Sequence, residues 1–347
     1  MPRITIKQVA QIAGVSPTAV SLAINGKSGI SDQTRKQILE VVKQMDFIPN
    51  ENSRRLLSNR TGNIAVLMDQ DSSLLDQFFY SELNTQLIRE CEDHQYNVIY
   101  SVVSIDDNQE VTIPKVIRTR DIDGVIIIGY LDPLIIQRIQ AYEYPIIILD
   151  NYLPSAHISS VIFDYQSAAR LATEYLVKKG HRSIGYIGSD ISSGKIQYFG
   201  QQTFKGFKEV LGKYHLSIPG SWIQISATDE ETAREAMDQI LKGNKLPTAV
   251  LCSGDIYAIG AMRSIKAHGF NVPGDISIIG IDDILLSRYI EPALTTVRVD
   301  RQSMAAMAIT AMCNRIEAKT KVDQMLCTSH LLIERDSVKD ISVKEAK

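Results

Sequence analysis

Cysteine is scarce in this chain of 347 residues: only Cys91, Cys252, Cys313 and Cys327 occur, and no two form a CxxC pair. That spacing speaks against a zinc knuckle or a disulfide framework and fits thiols kept reduced in a cytoplasm. No run of eighteen apolar residues is present, so no membrane-spanning helix is predicted. The opening MPRITIKQVAQ has no apolar core of a secretory leader, which again points to a cytoplasmic protein. The histidines at 94, 157, 181, 215, 268 and 330 are scattered, and GxGxxG, GxSxG and HExxH are all missing. Gly26-Lys27-Ser28 looks like the tail of a phosphate loop, but the glycine required five residues earlier is Ser21. No enzyme, no metal and no cofactor is expected on these grounds.

What is present is unevenly distributed. The net charge is −3, yet residues 1–60 hold nine Lys/Arg against four Asp/Glu, a head of +5 on a remainder of −8. A basic head on an acidic body suggests that the head meets a polyanion. Three helices can be read within its first 46 residues. Thr5 can cap a helix with an apolar face of Ile6, Val9, Ala10 and Ala13, ended by the turn at Gly14-Val15. Ser16 suits an N-cap and Pro17 the first helical position of a second helix that buries Ala19, Val20 and Ala23 and stops at Asn25-Gly26. A third begins after Ser31 and buries Ile38, Val41, Val42 and Met45. Helix, glycine turn and short helix make the helix-turn-helix pattern, whose second helix enters the major groove. With Val20 and Ala23 inward, Pro17, Thr18, Ser21 and Leu22 fall on the outer face.

TIKQVAQIAGVSPTAVSLAINGK, then ISDQTRKQILEVVKQMDFIPNENSRRLL, then IIGIDD and YIEPALTTV near the far end together resemble the LacI/GalR family of bacterial repressors over nearly the whole chain. The resemblance implies a helix-turn-helix head at 1–48 and a hinge at 49–61. An effector-binding and dimerisation body at 62–345 would follow. It implies DNA contacts from Thr5, Ser16, Pro17, Thr18, Ser21, Leu22 and Asn25 in the head. In the hinge, Leu56 would wedge into a minor-groove step between Arg54 and Arg55. The implied partners are a near-palindromic operator duplex, a second copy of the chain and a small effector.

The body alternates apolar runs at 63–68, 97–103, 124–129, 145–150, 183–188, 248–252 and 276–281 with amphipathic stretches such as 167–179 and 231–241. This predicts an α/β fold with parallel sheets covered by helices, divided into two lobes because one sheet would be too large. Asp69, Tyr130, Asp150, Ser189, Asp255 and Asp282 follow apolar runs closely. Each alone could cap a helix; as a set they would line a cleft at the carboxyl ends of strands. By resemblance the lobes are those of a periplasmic binding protein, the N-lobe at about 62–163 and 294–326 and the C-lobe at about 164–293 and 327–345. The chain would cross near 164, 293 and 326. Asp150, Phe163 and Asp282 match effector-contact positions, and Phe79 and Tyr80 match the pocket wall.

Three positions depart from the family pattern. Thr203 replaces an arginine, Thr228 replaces an aromatic, and Gly254 replaces the asparagine before Asp255. The pocket thus lacks a bidentate clamp for an anion, which points to a neutral sugar or glycoside, with both threonines leaving room for more than a monosaccharide. Two rivals stay open: a regulator switched by a partner protein, with a vestigial pocket, and a solute-binding protein without DNA function.

Overall fold

The computed structural model describes residues 4–24, 26–47, 60–70, 78–106, 108–189, 198–318 and 322–342. The chain divides into two compact units, Met1–Thr61 and Gly62–Lys347. In the first, α1 (Ile6–Ala13), α2 (Pro17–Ile24) and α3 (Asp32–Gln44) surround a small core. Thr5 and Gln8 form a capping box at α1, and Gly14 closes it in the left-handed conformation. Ser16 Oγ accepts from the Ala19 amide at 3.2 Å, and Ser31 Oγ accepts from Thr34 at 3.1 Å. Each helix therefore starts where its cap dictates.

Val9, Ala10, Ala13, Val20, Ala23, Ile38 and Phe47 are buried together, while Val41, Val42 and Met45 pack around them half-buried. A two-turn helix such as α2 is marginal alone. Its free end is held by Arg35, whose guanidinium donates to the carbonyls of Leu22 (3.0 Å), Ala23 (3.1 Å) and Lys27. Those bonds reinforce the turn amides of Lys27 and Gly26, which donate to the Leu22 and Ala23 carbonyls at 3.0 and 3.3 Å.

Among the described residues, the second unit holds two sheets. The first has seven strands in the order β12-β6-β5-β4-β1-β2-β3, and the second six in the order β13-β11-β10-β9-β7-β8. In the first lie β1 (Asn63–Asp69), β2 (Asn97–Ile105), β3 (Val111–Thr112), β4 (Gly124–Ile128), β5 (Ile146–Leu149), β6 (Ser159–Phe163) and β12 (Met325–Thr328). In the second lie β7 (Ile184–Ser189), β8 (Ile223–Ala227), β9 (Ala249–Cys252), β10 (Ser277–Asp282), β11 (Thr295–Val299) and β13 (His330–Ile333). Pairing is parallel except at β3 and β13, which join their neighbours antiparallel. Helices cover the sheets. In the first lobe these include α4 (Phe78–Asp93), α5 (Lys115–Arg118), α6 (Pro133–Gln140) and α11 (Arg301–Ile316); in the second, α7 (Tyr165–Lys178), α8 (Tyr198–Lys213), α9 (Glu230–Leu241) and α10 (Asp255–Ala267). The central strands β1, β4, β5 and β6 are buried along nearly their whole length, as both-face coverage requires.

The lobe crossings differ from the expected ones at two points. β11 pairs with β10 in the second sheet, so the chain returns to the first lobe after Val299, not near 293. Cys327 and Thr328 still pair with β6, so the last crossing is at 329, not 326. The strands β6 and β11, absent from the apolar runs, carry hydroxyl side chains in the sheets. Ser159 Oγ accepts from the Gln324 amide (3.0 Å) and Thr295 Oγ1 from the Arg335 amide (2.9 Å), so these polar residues are buried with partners. His181 is a structural residue: its ring bonds Thr248 Oγ1 at 2.9 Å and the Lys339 carbonyl at 3.0 Å.

Candidate functional site

The head presents its second helix outward. Ser16, Pro17 and Thr18 are exposed and Ser21 is half-buried, while Val20 and Ala23 point into the core. Leu22 is half-buried, its Cδ1 close to Gly29, where a β-carbon would stand 3.2 Å away. Thr5 is exposed at the start of α1. Asn25, Arg54, Arg55 and Leu56 lie outside the described residues.

In the body, the ends of β5 and β10 bring Asp150 and Asp282 together from opposite lobes. Asp150 is buried, and both its oxygens are occupied: Tyr80 donates at 2.8 Å and Tyr165 at 2.6 Å. Burial pushes the Asp150 carboxyl up to about 6, with the two phenols opposing the rise. Asp282 is half-buried, and its carboxyl too is driven upward, by burial first, then by the charge of Asp255 and, further on, of Asp150. Burial also raises the phenols of Tyr80, Tyr165 and Tyr257, with Asp150 adding to the first two and Asp282 to the third. Asp150 (φ 62°) and Asp282 (φ 125°) both have left-handed backbones, conformations that cost a non-glycine residue about 1–3 kcal/mol each. Acidic groups, phenols and strained turns thus gather where the two lobes meet.

Other expected site residues are placed differently. Asp255 is fully buried inside the second lobe, accepting from the Ile284 amide (3.1 Å), Ser287 Oγ (2.6 Å) and Thr296 Oγ1. It holds the loop after β10 instead of facing a ligand. A β-carbon at Gly280 would collide with its carboxylate, which is why glycine stands in IIGIDD. Burial raises the Asp255 carboxyl to about 7. Phe163 is enclosed and does not face a ligand site. It is fully buried, edge-on to Tyr165 (4.9 Å) and His330 (6.1 Å).

Thr203 leaves no room for a ligand. It is fully buried, donates to the Phe199 carbonyl (2.9 Å) and bonds the Tyr186 hydroxyl at 3.0 Å, so the Tyr186 ring packs where space was expected. Thr228 is exposed, its hydroxyl among Asp229 and Thr232 at the start of α9. Asp69 is half-buried near Tyr130, and Phe79 packs edge-on against Tyr80 at 5.0 Å. Tyr165, Tyr257, Glu82 and Arg301 were not anticipated. Tyr165 follows the Asp164 cap directly, an aromatic at a helix start. Arg301 opens α11 directly after β11, so it belongs to the first lobe.

No helix among the described residues is long and apolar enough to cross a membrane. A family model described as bacterial regulatory proteins, lacI family, matches residues 5–50, and one described as a periplasmic binding protein-like domain matches 173–338. The HTH-type transcriptional repressor PurR of Klebsiella pneumoniae (strain 342) is 29% identical over 339 residues, 97% of each chain. A relative from Bacillus subtilis (strain 168), named a probable HTH-type transcriptional repressor ExuR, is 30% identical over 342 residues, 98% of this chain and 99% of its own. The fold is similar to that of a lac repressor dimer bound to operator and the anti-inducer ONPF (TM-score 0.77, 22% identity, 97% of this chain and 99% of that one). It is also similar to a CelR–cellobiose complex (TM-score 0.71, 22% identity, 96% and 100%). With helix-turn-helix head and two-lobed body matched from end to end, this chain belongs to the LacI family of bacterial regulatory proteins.

Proposed function

We propose that the protein is a homodimeric repressor of carbohydrate-utilisation genes whose hold on a near-palindromic operator is set by a neutral, hydroxyl-rich effector between the lobes. One head covers only a few base pairs, so useful affinity requires two heads spaced about one helical turn apart. The observation that carries the effector reading is the sign of the cleft. Asp150 and Asp282 approach from the two lobes, Asp255 stands behind Asp282, and the nearby cation, Arg301, is already paired with Glu82 at 2.7 Å. An anion would either meet these carboxylates' charge or have to keep them protonated. Glu82 already takes the Arg301 guanidinium, so little offsets the anion's lost hydration. Sugar hydroxyls, in contrast, donate to carboxylates, and the aromatic residues around the cleft supply apolar surface. The relatives named for operator, ONPF and cellobiose support a DNA-binding, ligand-responsive role, while the cleft chemistry narrows the ligand.

A panel of neutral sugars, glycosides and uronates titrated against the operator-bound protein tests this. A neutral member should change operator affinity at least tenfold, and Asp282→Ala should abolish the response. Response to uronates alone, or a sugar effect untouched by Asp282→Ala, would overturn the effector assignment. No response to any small molecule would favour switching by a partner protein.

A further inference from the structure

The loop that carries Asp282 is held from both lobes, and the two sides are built differently. On the second-lobe side it is fixed many times over. Asp283 is buried and its carboxylate takes Arg298 Nε at 2.7 Å and the Arg335 guanidinium, which together hold its carboxyl below the ordinary range against the upward pull of burial. Asp255 holds the next turn through Ile284 and Ser287. On the first-lobe side two side chains, Arg301 and Glu82, meet the backbone of Asp282, Asp283 and Leu285. Arg301, at the start of α11, donates from Nη1 to the Asp282 carbonyl (2.7 Å) and from Nη2 to the Asp283 carbonyl (2.9 Å). Its guanidinium also pairs with Glu82 Oε2 at 2.7 Å and lies 5.6 Å from the centre of the Phe79 ring. Glu82 Oε1 accepts from the Leu285 amide at 3.1 Å. Glu82 and Phe79 both belong to α4 of the first lobe.

We propose that Arg301 and Glu82 form an interlobe latch: they are positioning residues that set the backbone of the Asp282 loop against helix α4 and so fix the angle between the lobes. This rests on the reading of the protein as a two-lobed regulator, but not on which effector it takes. The planar guanidinium serves two carbonyls and a carboxylate at once, and a lysine has no such fork. Arg301 is only 11% exposed, so its bonds are little weakened by water. The second-lobe anchors make the loop a rigid piece. A rotation of the lobes therefore cannot be absorbed by bending residues 282–285 and must break the bonds to Arg301 and Glu82 or carry α4 along. A ligand at Asp282 sits directly on this joint, and it shifts the lobe equilibrium only through such state-dependent contacts. Two arrangements, latched and released, would then differ in operator affinity.

The test uses the full-length protein and a selected operator duplex, with no effector added, so a failed effector assignment leaves it intact. Arg301→Met and Glu82→Gln should each shift operator affinity about tenfold, in the same direction. The double variant should go no further than the stronger single, since both break one joint. Arg301→Lys should fall between wild type and Arg301→Met. Arg315→Ala, which removes an ion pair to Asp323 within the first lobe, should stay within twofold of wild type. Thermal unfolding of each variant separates loss of the latch from loss of the fold. Folded variants that all bind within twofold of wild type, or whose effects simply add, would overturn the proposal. Hydrogen exchange on the wild type gives an answer that needs no variant. The Leu285 amide should change its protection between free and operator-bound protein, and equal protection in both would contradict the latch.

Discussion

The head and the body solve the same problem, presenting polar groups to a ligand, in opposite ways. Among the described residues the head has a core of seven buried apolar residues. Its proposed contact residues Ser16, Pro17 and Thr18 stand outside it, on a short helix whose end Arg35 helps to hold. On the proposed reading its groups need no desolvation to be useful, because the phosphate backbone and base edges would come to them. The body has a far larger core and keeps its proposed effector residues inside, where Asp150 and Asp282 have carboxyls driven upward by burial. There, selectivity comes from what the cleft cannot compensate. A surface site tolerates substitutions that change specificity alone. A buried site couples ligand, protonation and lobe geometry, so substitutions in it disturb several properties together.

Three substitutions would break or sharpen this contrast. The largest effect is expected for Val20→Asp, which puts an unpaired charge at a fully buried position of the small core. An isolated charge there costs several kcal/mol, more than so small a core can spare. Operator affinity should fall at least a thousandfold in a gel-shift titration. The unfolding transition of the body should be unchanged, and a common loss of both would show that the units are not separate. Next is Leu22→Arg. Leucine can only pack against a thymine methyl or exclude water, whereas arginine can hold a guanine by two hydrogen bonds. The preferred base pair opposite it should shift from A·T toward G·C by about 1–3 kcal/mol, read from affinities for a set of operator variants. An invariant G·C in the wild-type site that survives Leu22→Ala would count against this orientation.

The smallest effect concerns Asp150→Asn. The folded state holds this carboxyl at about 6, above its unfolded value, so its protonated form contributes stability at low pH that is lost as pH rises through about 6. Wild type should therefore lose about 1 kcal/mol relative to Asp150→Asn between pH 5 and 7.5, measured by urea denaturation. A pH-independent gap would mean that Asp150 is not held in its protonated form.

The head was legible because its signals are local. Thr5, Gly14, Ser16, Pro17 and Ser31 act within a few residues of where they stand, and each does so in the structure. The parallel sheets were legible for the same reason, as continuous apolar runs. The cleft was only half legible. Asp150 and Asp282 follow from their place at strand ends, but the roles of Asp255, Phe163 and Thr203 were set by neighbours distant in sequence. Thr296 and Ser287 claim the Asp255 carboxylate, Tyr186 claims Thr203, and His330 and Tyr165 enclose Phe163. No short-range pattern announces such partners. Arg301 is the clearest case: the resemblance put the crossing near 293, whereas β11 stays in the second sheet through Val299, so Arg301 opens the first-lobe helix α11.

The central claim is that α2 reads operator DNA for a symmetric dimer, and selection from a random duplex pool followed by sequencing tests it most directly. The account predicts an inverted repeat with half-sites about one helical turn apart, A·T opposite Leu22, and binding that falls steeply with salt. Enrichment of no sequence, or of a single asymmetric site bound by one chain, would contradict it.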